Sequence, residues 1–319
     1  MKHQKKLAVI NDLSGYGRCS LTVALPVVSA MGVQCCPVPT SILSNHTGYP
    51  EYFFDDYTKK LPAYIGKWKE LGFSFDGILT GFLGSAGQIE VVEDFIRHFA
   101  AGGAKSGMGH ASHAAAGSVR PSASSAVHEN SPKPAGIPDT TQNPTQRAKV
   151  IIDPIMGDHG RIYSTLTPEL CDRMKVLASR ADILTPNLTE ACILAGVPYQ
   201  PHFSRRGLAA LFDRLAALCP GCIVLTGMDA GAYLENIIFD PETGEYLTLR
   251  KKRIAAERCG TGDVFSSVVA AGILQGMSLT AAVKKAASFI CLCLKETAGY
   301  DISASDGVVF EPLLKYLIP

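Results

Sequence analysis

The feature that most constrains this chain is a regular alternation of short apolar runs with helical patterns. The runs are nearly continuous in apolar residues, as strands buried on both faces require. Most of them end at a glycine, aspartate or asparagine turn and are followed by an amphipathic or apolar helical stretch. The runs occupy residues 6–12, 33–40, 75–80, 149–153, 181–187 and 222–228. Such alternation predicts one mostly parallel sheet covered by helices on both faces.

One segment departs from this pattern. Residues 101–149, 49 of the 319, contain no Phe, Trp, Tyr or Leu and are dense in Ala, Gly, Ser and Pro. Such a segment buries too little apolar surface to offset the entropy of ordering it. We expect a disordered surface insert that interrupts a single domain spanning residues 1–319, because strands and helices alternate on both sides of it.

Composition excludes several classes of protein. Thirty basic and 29 acidic side chains give a net charge of +1, which argues against a nucleic-acid partner held by bulk charge. No apolar run reaches the roughly 18 residues of a membrane helix, and the first residues lack the apolar core of a signal peptide. Ten cysteines in such a chain indicate reduced thiols. We therefore expect a cytoplasmic protein with no membrane partner.

Two cysteine groups have spacings that could serve chemistry. Cys219 and Cys222 have redox or metal spacing, and Cys291 with Cys293 could complete a site. Both groups lie in or beside apolar runs, where cysteine behaves as a small hydrophobic residue. The structural interpretation is therefore favoured over zinc or redox chemistry.

The most informative motif is CGTGDVFSSVVAAGIL at residues 259–274. Small residues at a helix start let backbone N–H groups converge on an anion, and the helix dipole adds positive potential there. Asp263 in the same turn can accept a proton from an attacking hydroxyl, an arrangement suited to phosphoryl transfer. An ordinary N-terminal aspartate after a tight glycine turn is the alternative, and four residues do not decide between them.

Two other phosphate-binding motifs are missing from the sequence. It contains no G-x-x-x-x-G-K-[ST], and SGYGR after the first apolar run is only a partial match to G-x-G-x-x-G. P-loop and dinucleotide-dependent dehydrogenase classes are therefore disfavoured.

Seven segments, taken in order, resemble the pyridoxal kinases of the ribokinase-like superfamily. They are residues 12–17, SNHTGY at 44–49, LTGFLGS at 79–85, DPIMGD at 153–158, ADILTPNLTEA at 181–191, VLTG at 224–227 and GTGD at 260–263. The resemblance covers nearly the whole chain outside residues 101–149 and the last dozen or so. It implies a three-layer αβα sandwich with a central mostly parallel sheet, a homodimer, and ATP-dependent phosphorylation of the 5′-hydroxymethyl group of a B6 vitamer.

The resemblance also assigns the residues of phosphoryl transfer. Asp263 matches the catalytic base, and Gly260, Thr261 and Gly262 match the anion hole. The positions matching the nucleotide and Mg²⁺ site are Asp153, Asp158, Asn187, Glu190, Thr226, Gly227 and Thr261, with Asp153 and Glu190 as metal ligands. A monovalent cation is left open.

Two of these assignments have structural alternatives. The spacing of three between Asn187 and Glu190 places both on one face of a helix, but it also suits a capping pair. Asp158, followed by His159 and Gly160, could be a simple turn aspartate.

On the vitamin side, Asp12, His46, Thr47 and Phe82 match residues that line the pyridine ring. Asp12 stands where many pyridoxal kinases carry serine, and Phe82 stands where tyrosine is common. A carboxylate at position 12 could accept from a protonated pyridine nitrogen or from the ring hydroxyl, which leaves the preferred vitamer open.

Two further functions stay open at this point. Hydroxymethylpyrimidine kinases of thiamine biosynthesis share the ADILTPN-x-x-E segment and also carry aspartate near position 12. A non-catalytic vitamer-binding protein on the same fold is the alternative outside the enzymes, but it would need no Asp263. The stretch 44–57 and the RKKR hairpin at 250–253 are equal candidates for a lid.

Overall fold

The structure, a computed structural model, describes residues 3–101, 147–254 and 258–319. Most of the insert expected at residues 101–149 lies outside these ranges, so its predicted disorder stays a prediction. The described residues begin again at 147, and Lys149 opens a strand.

Eleven strands are present in the described ranges. They are β1 Lys6–Tyr16, β2 Gln34–Asn45, β3 Phe54–Asp56, β4 Gly77–Thr80, β5 Lys149–Ile152, β6 Gly157–Asp158, β7 Arg161–Ile162, β8 Ile183–Leu184, β9 Cys222–Ala230, β10 Tyr233–Asp240 and β11 Glu245–Lys252.

Eight α-helices accompany them in the same ranges. They are α1 Ser20–Ala30, α2 Leu61–Glu70, α3 Ala86–Ala100, α4 Pro168–Ala178, α5 Leu188–Ala195, α6 Arg205–Leu218, α7 Thr261–Leu274 and α8 Leu279–Thr297. Two short 3-10 helices, Ala304–Asp306 and Glu311–Tyr316, follow α8.

Nine strands form one sheet in the order β11-β10-β9-β8-β5-β4-β1-β2-β3. The six strands from β9 to β2 run parallel, and β10, β11 and β3 add antiparallel edges. The chain leaves β1 for β2 on one side and later returns to β4 on the other. This reversal opens a crevice between the carboxyl ends of β1 and β4, where ligands bind in sheets of this kind.

Helices cover both faces of the sheet. Residues of α2 to α6 form one buried apolar cluster against the sheet, and residues of α1, α7, α8 and the final 3-10 helix form the other. The predicted α/β class with a mostly parallel sheet is therefore confirmed. Strands β4 and β5, which lie on either side of the predicted insert, pair directly with each other.

Several elements differ from the sequence-based prediction. The first strand does not stop at residue 12: after a bulge between Asn11 and Leu13 it continues to Tyr16, paired with the extended second strand. Together with β3, these extensions form a three-stranded part of the sheet at its carboxyl edge, comprising residues 13–16 and 41–56 and here called the flap. The sequence pattern missed the flap because its residues are partly exposed and lack a continuous apolar run. It also missed the two-residue strands β6 and β7, and it missed that the final segment packs into the core.

Phe95 of α3 provides a test of the core. Its side chain is fully buried, with ring centroids 4.4 Å from Phe99 and 5.9 Å from Phe75. We expect Phe95→Ala to lower the free energy of unfolding by about 3–5 kcal/mol, because it leaves a cavity in this aromatic cluster. Urea denaturation measures the loss. Leu71→Ala, at a side chain that is 66% exposed, should cost about 0.5 kcal/mol or less; equal losses would contradict the packing.

Candidate active site

The crevice between β1 and β4 is closed from above by the first turn of α7. Asn11 and Asp12 lie at the bulge of β1, Gly81 and Phe82 follow β4, and Asp263 is in the first turn of α7. Three chain segments that are far apart in sequence therefore meet at the point where the strand order reverses.

Asn11 joins these three segments. Its side-chain oxygen accepts hydrogen bonds from the N–H of Phe82 at 2.8 Å and of Asp12 at 3.0 Å. Its amide nitrogen donates to Oδ1 of Asp263 at 3.2 Å. A Cβ on Gly81 would collide with the Asn11 amide, so this approach requires glycine. The Asn11 amide therefore fixes the position of the Asp263 carboxylate.

Asp12 is buried beside Asn11 and is held by two hydroxyls. Ser20 Oγ donates to Oδ1 at 2.5 Å, and Ser14 Oγ donates to Oδ2 at 2.8 Å. Burial raises the pKa of Asp12, and the two hydrogen bonds oppose the rise. Ser20 has a φ of +52°, a strained conformation for a residue with a side chain. In this conformation the Ser20 hydroxyl donates to Asp12, and the Ser20 N–H points to the Asp263 carboxylate.

Asp263 is buried next to the glycine turn that starts α7. Burial raises the pKa of Asp263 to about 7, against the hydrogen bonds from the Ser20 N–H and the Asn11 amide. The carboxyl therefore exchanges its proton near neutral pH, as a general base must.

The turn before Asp263 has an open face and a closed face. Gly260 has a φ of +77°, and a Cβ there would collide with the Arg18 carbonyl. A Cβ on Gly262 would meet no atom within 4 Å among the described residues. The turn is therefore packed on one side and accessible on the other, with helix N–H groups facing the crevice.

Two more carboxylates lie along the same edge of the sheet. Burial raises the pKa of Asp153, after β5, to about 8; the charge of Asp263 adds to the rise, and the Ser266 hydroxyl opposes it. Burial and the charge of Asp153 raise the pKa of Glu190 well above its usual value. Glu190 is held by the N–H of Asn187 at 2.8 Å and of Met156 at 3.2 Å.

The capping alternative for Asn187 is present in the structure. Asn187 is the N-cap of α5 and forms a reciprocal capping box with Glu190, so it precedes the helix instead of sharing a face with it. Its oxygen accepts from the Glu190 N–H at 3.0 Å, and its amide donates to the Gly157 carbonyl at 2.8 Å. A direct contact from Asn187 to a ligand would therefore compete with bonds inside the protein.

The remaining residues of the predicted nucleotide site lie at neighbouring strand ends. Asp158 is half exposed and accepts from the His159 N–H at 2.8 Å, which is the geometry of a turn aspartate. Thr226 forms an isolated parallel bridge with Asn187. Gly227, with φ +65°, donates its N–H to Asn236 at 3.2 Å. The structure thus places these positions along one edge of the sheet, with Asp158 at its solvent side.

His46 is the flap residue that reaches the crevice. Its Nε2 donates to the Ser305 carbonyl at 2.7 Å, and its ring packs against Gly17. The neighbouring Cys259 thiol raises the pKa of His46 to about 8, against the effect of burial. Tyr49 donates to Asp306 at 2.6 Å and fastens the same turn, in which Thr47 lies exposed.

Phe82, predicted to stack on the vitamer, also lines a cavity next to the crevice. A cavity of about 230 Å³ lies between Phe82, the flap and Thr165. Its aromatic walls come from Tyr52 and Phe54 of the flap. Phe82 therefore separates the crevice from an apolar space under the flap.

The sequence patterns missed several residues of this site. Asn11, Ser20 and Cys259 all contact predicted residues, yet none was singled out. Their positions carried a signal: Asn11 precedes Asp12 at a strand end, and Cys259 directly precedes the GTGD motif. Contact partners of this kind follow from the fold, since the pattern does not show which segments meet.

The fold and this crevice define a kinase of the ribokinase-like superfamily. The family model described as phosphomethylpyrimidine kinase matches residues 137–309, more than half of the chain. A Bacteroides thetaiotaomicron protein described as a phosphomethylpyrimidine kinase and crystallised with pyridoxal is 32% identical. It superimposes with a TM-score of 0.80 over 99% of this chain and 96% of its own. The chain belongs to the phosphomethylpyrimidine kinase family.

Curated relatives narrow the comparison to pyridoxal kinases. The pyridoxal kinase of Rubrobacter xylanophilus is 27% identical over 90% of this chain and 86% of its own. The pyridoxine/pyridoxal/pyridoxamine kinase of Bordetella avium is 27% identical over 88% and 81%. The predicted resemblance to pyridoxal kinases is confirmed.

The buried Asp153 carboxyl predicts a specific dependence of stability on pH. Its folded pKa, about 8, lies above its usual 3.8, so the folded state holds the proton more tightly and loses stability as pH rises between these values. We expect Asp153→Asn to raise the melting temperature by at least about 2 °C at pH 8 without Mg²⁺ or nucleotide. The gain should shrink toward pH 5.

Thermal unfolding of the wild type and the variant at both pH values measures this. Asp172→Asn, at a side chain that is 76% exposed, is the control and should leave the melting temperature unchanged. A gain that is the same at both pH values would show that the substitution acts through packing and not through the carboxyl charge.

Proposed function

We propose that this chain transfers the γ-phosphoryl group of ATP to the 5′-hydroxymethyl group of a B6 vitamer: pyridoxal, pyridoxine or pyridoxamine. The observation that carries the proposal is Asp263, a buried carboxyl with a pKa of about 7, directly beside a glycine turn at a helix start. The relative crystallised with pyridoxal and the curated pyridoxal kinases support the vitamer as acceptor.

In the proposed reaction, Asp263 and the backbone of the glycine turn have separate roles. Asp263 takes the proton of the 5′-hydroxyl as its oxygen bonds to the γ-phosphorus, and the bond to the bridging oxygen of ADP breaks. Backbone N–H groups of Gly260, Thr261 and Gly262 stabilise the negative charge on the transferred group. Asn11 and the Ser20 N–H hold Asp263 in position, because both bond to its carboxylate.

The vitamer would lie between the flap and the bulge of β1. Asp12 has a free lone pair on each oxygen beyond its serine bonds and can accept from the ring hydroxyl or a protonated pyridine nitrogen. His46 and Thr47 of the flap and the ring of Phe82 would line the pyridine. Burial of Asp12 supports this role, since a buried acceptor gains most from a donor supplied by the ligand.

The nucleotide would follow the edge of the sheet from Asp263 toward Thr226 and Gly227, with Asp158 at the solvent side. Asp153 and Glu190 fit Mg²⁺, because both are buried carboxylates and the charge of Asp153 raises the pKa of Glu190. Within the described ranges no group of three or more His, Cys, Asp or Glu side chains could enclose a metal. A pair of carboxylates suits an ion that keeps waters and phosphate oxygens. Bound there, Mg²⁺ would neutralise phosphate charge.

One alternative substrate has its own support. The matching family model is described as a phosphomethylpyrimidine kinase, and Asp12 stands where aspartate is also found in hydroxymethylpyrimidine kinases. The named pyridoxal kinases among the relatives favour the vitamer, so the pyrimidine is the second acceptor to test.

The test is ADP release by the full chain with ATP and Mg²⁺, offered each of the three vitamers and hydroxymethylpyrimidine in turn. We expect a phosphorylated vitamer, identified by mass spectrometry, to be the main product. Asp263→Asn should lower kcat by about 10²–10⁴ with little change in vitamer affinity, because it removes the base but not the binding contacts. Asp172→Asn, far more exposed, is the matched control.

Each other outcome contradicts the proposal in a different way. Preferred phosphorylation of hydroxymethylpyrimidine would assign the enzyme to thiamine biosynthesis. Tight vitamer binding without turnover would indicate a binding protein. A parallel loss of affinity and rate in Asp263→Asn would remove its role as base.

We also infer one kinase domain across residues 1–319. Asn11 and Asp12 precede residues 101–149, while Asp153 and Asp263 follow them, and Asn11 bonds directly to Asp263. Among the described residues no helix is long and apolar enough to span a membrane. The ten free cysteines support the cytoplasm as its compartment. The homodimer and the monovalent cation stay predictions that rest on the family resemblance.

The single-domain proposal predicts that residues 105–145 are dispensable. Helix α3 ends at Ala100 and β5 begins at Lys149, and helix–strand connections in such units commonly need only a few residues. We expect the deletion to leave kcat/KM within about threefold of the full chain, since loops outside a site tolerate such changes. A variant with a Gly-Ser segment of equal length is the control. Loss of folded protein on deletion would show that the segment is structural.

A further inference from the structure

Cys19 and Cys259 lie together at the base of the crevice. Cys19 is buried and is the N-cap of α1, and Cys259 directly precedes Gly260. Each thiol is the largest influence on the pKa of the other. The two main chains are also in contact, since a Cβ on Gly260 would lie 3.5 Å from the Cys19 Cα. Backbone packing therefore holds the two cysteines next to each other.

The two thiols differ in ionisation and in exposure. The Cys19 thiol, His46 and the Gly260 N–H lower the pKa of Cys259 to about 5, against the effect of burial. The Cys259 thiol and burial raise the pKa of Cys19 far above its usual range. Cys259 is partly exposed, while Cys19 is only 4% exposed. One partner is thus a partly exposed thiolate and the other a buried thiol beside it, the arrangement in which a neighbouring cysteine resolves a sulfenic acid.

The other neighbouring cysteines lack this asymmetry. Burial raises the pKa of both Cys35 and Cys36, which are adjacent in β2. It also raises the pKa of both Cys219 and Cys222. These four thiols stay protonated near neutral pH and react slowly, so the pair at the crevice is singled out by its surroundings.

We propose that Cys259 and Cys19 form an oxidant-sensitive pair that closes to a disulfide and stops the kinase. Hydrogen peroxide is the oxidant. The Cys259 thiolate attacks one peroxide oxygen, the O–O bond breaks, and a sulfenic acid and hydroxide form. The Cys19 sulfur then attacks the Cys259 sulfur, the S–O bond breaks, and water leaves with the thiol proton. Both sulfurs are oxidised, and each peroxide is reduced to two waters.

Disulfide formation would disturb the site because each cysteine adjoins a residue that holds it. Cys19 precedes Ser20, whose hydroxyl bonds to Asp12 and whose N–H bonds to Asp263. Cys259 precedes the glycine turn that starts α7. A disulfide is about 2.05 Å long, shorter than the separation of two sulfur atoms that are not bonded, so closure draws the two segments together.

Disulfide mapping tests the pairing without any assay of activity. No Lys or Arg separates Cys19 from Cys36, so one tryptic peptide of the wild type carries three thiols. We therefore use the Cys35→Ser/Cys36→Ser variant as the parent enzyme. After peroxide and alkylation, we expect a cross-linked peptide joining Cys19 to Cys259, with two hydrogens fewer than the separate peptides. Separate alkylation of both thiols, or a cross-link at Cys219–Cys222 alone, would overturn the proposal.

Kinase activity tests the consequence. Peroxide should lower the activity of the parent at least tenfold, and dithiothreitol should restore it. Adding Cys19→Ser removes the resolving thiol, so Cys259 oxidises further and dithiothreitol no longer restores activity. Full activity in a cross-linked enzyme would overturn the inhibitory role. The activity measurement rests on the proposed function, but the mapping of the disulfide does not. Absence of kinase activity and absence of the disulfide are therefore separate results.

Discussion

Burial of neighbouring carboxylates is the constraint on which this site depends. Asp12, Asp263, Asp153 and Glu190 follow one another along the carboxyl edge of the sheet, and burial raises the pKa of each. The charges of Asp12, Asp263 and Asp153 each raise the pKa of the next carboxyl along this edge, so the folded protein holds protons that the unfolded chain would release. A bound cation neutralises the charge of these carboxylates, and a substrate hydroxyl can transfer its proton to one of them. The buried carboxylates that destabilise the fold are therefore also the groups that bind a cation and accept the proton of a substrate hydroxyl.

Hydrogen-bond donors from the sheet and from α1 stabilise the buried carboxylates. Asn11 is held by two backbone N–H groups and presents its amide to Asp263, while Ser20 adopts a strained backbone conformation to serve both Asp12 and Asp263. Close approach of main chains at Gly81 and Gly260 leaves no space for a Cβ. The position of the base is thus set by backbone geometry, which is stiffer than a network of long side chains.

The same environment explains why a thiolate persists beside the catalytic turn. The Gly260 N–H that lowers the pKa of Cys259 belongs to the glycine turn that faces the phosphoryl group. A loop built to stabilise developing negative charge stabilises a sulfur anion equally well. Oxidant sensitivity would then be a consequence of the anion site itself, with Cys19 supplying the one thiol that makes the damage reversible.

Local pattern determined the fold class, because strands buried on both faces must be apolar throughout and their alternation with helices admits few topologies. It also marked Asp263 and its glycines, since chemistry and turn geometry sit within four residues. The flap escaped prediction because its strands are stabilised by pairing and not by their own composition. Tertiary structure alone decided which side chains meet. Asn11 reaches Asp263 across 252 residues, and Cys19 reaches Cys259, because the reversal of strand order brings β1 under the start of α7.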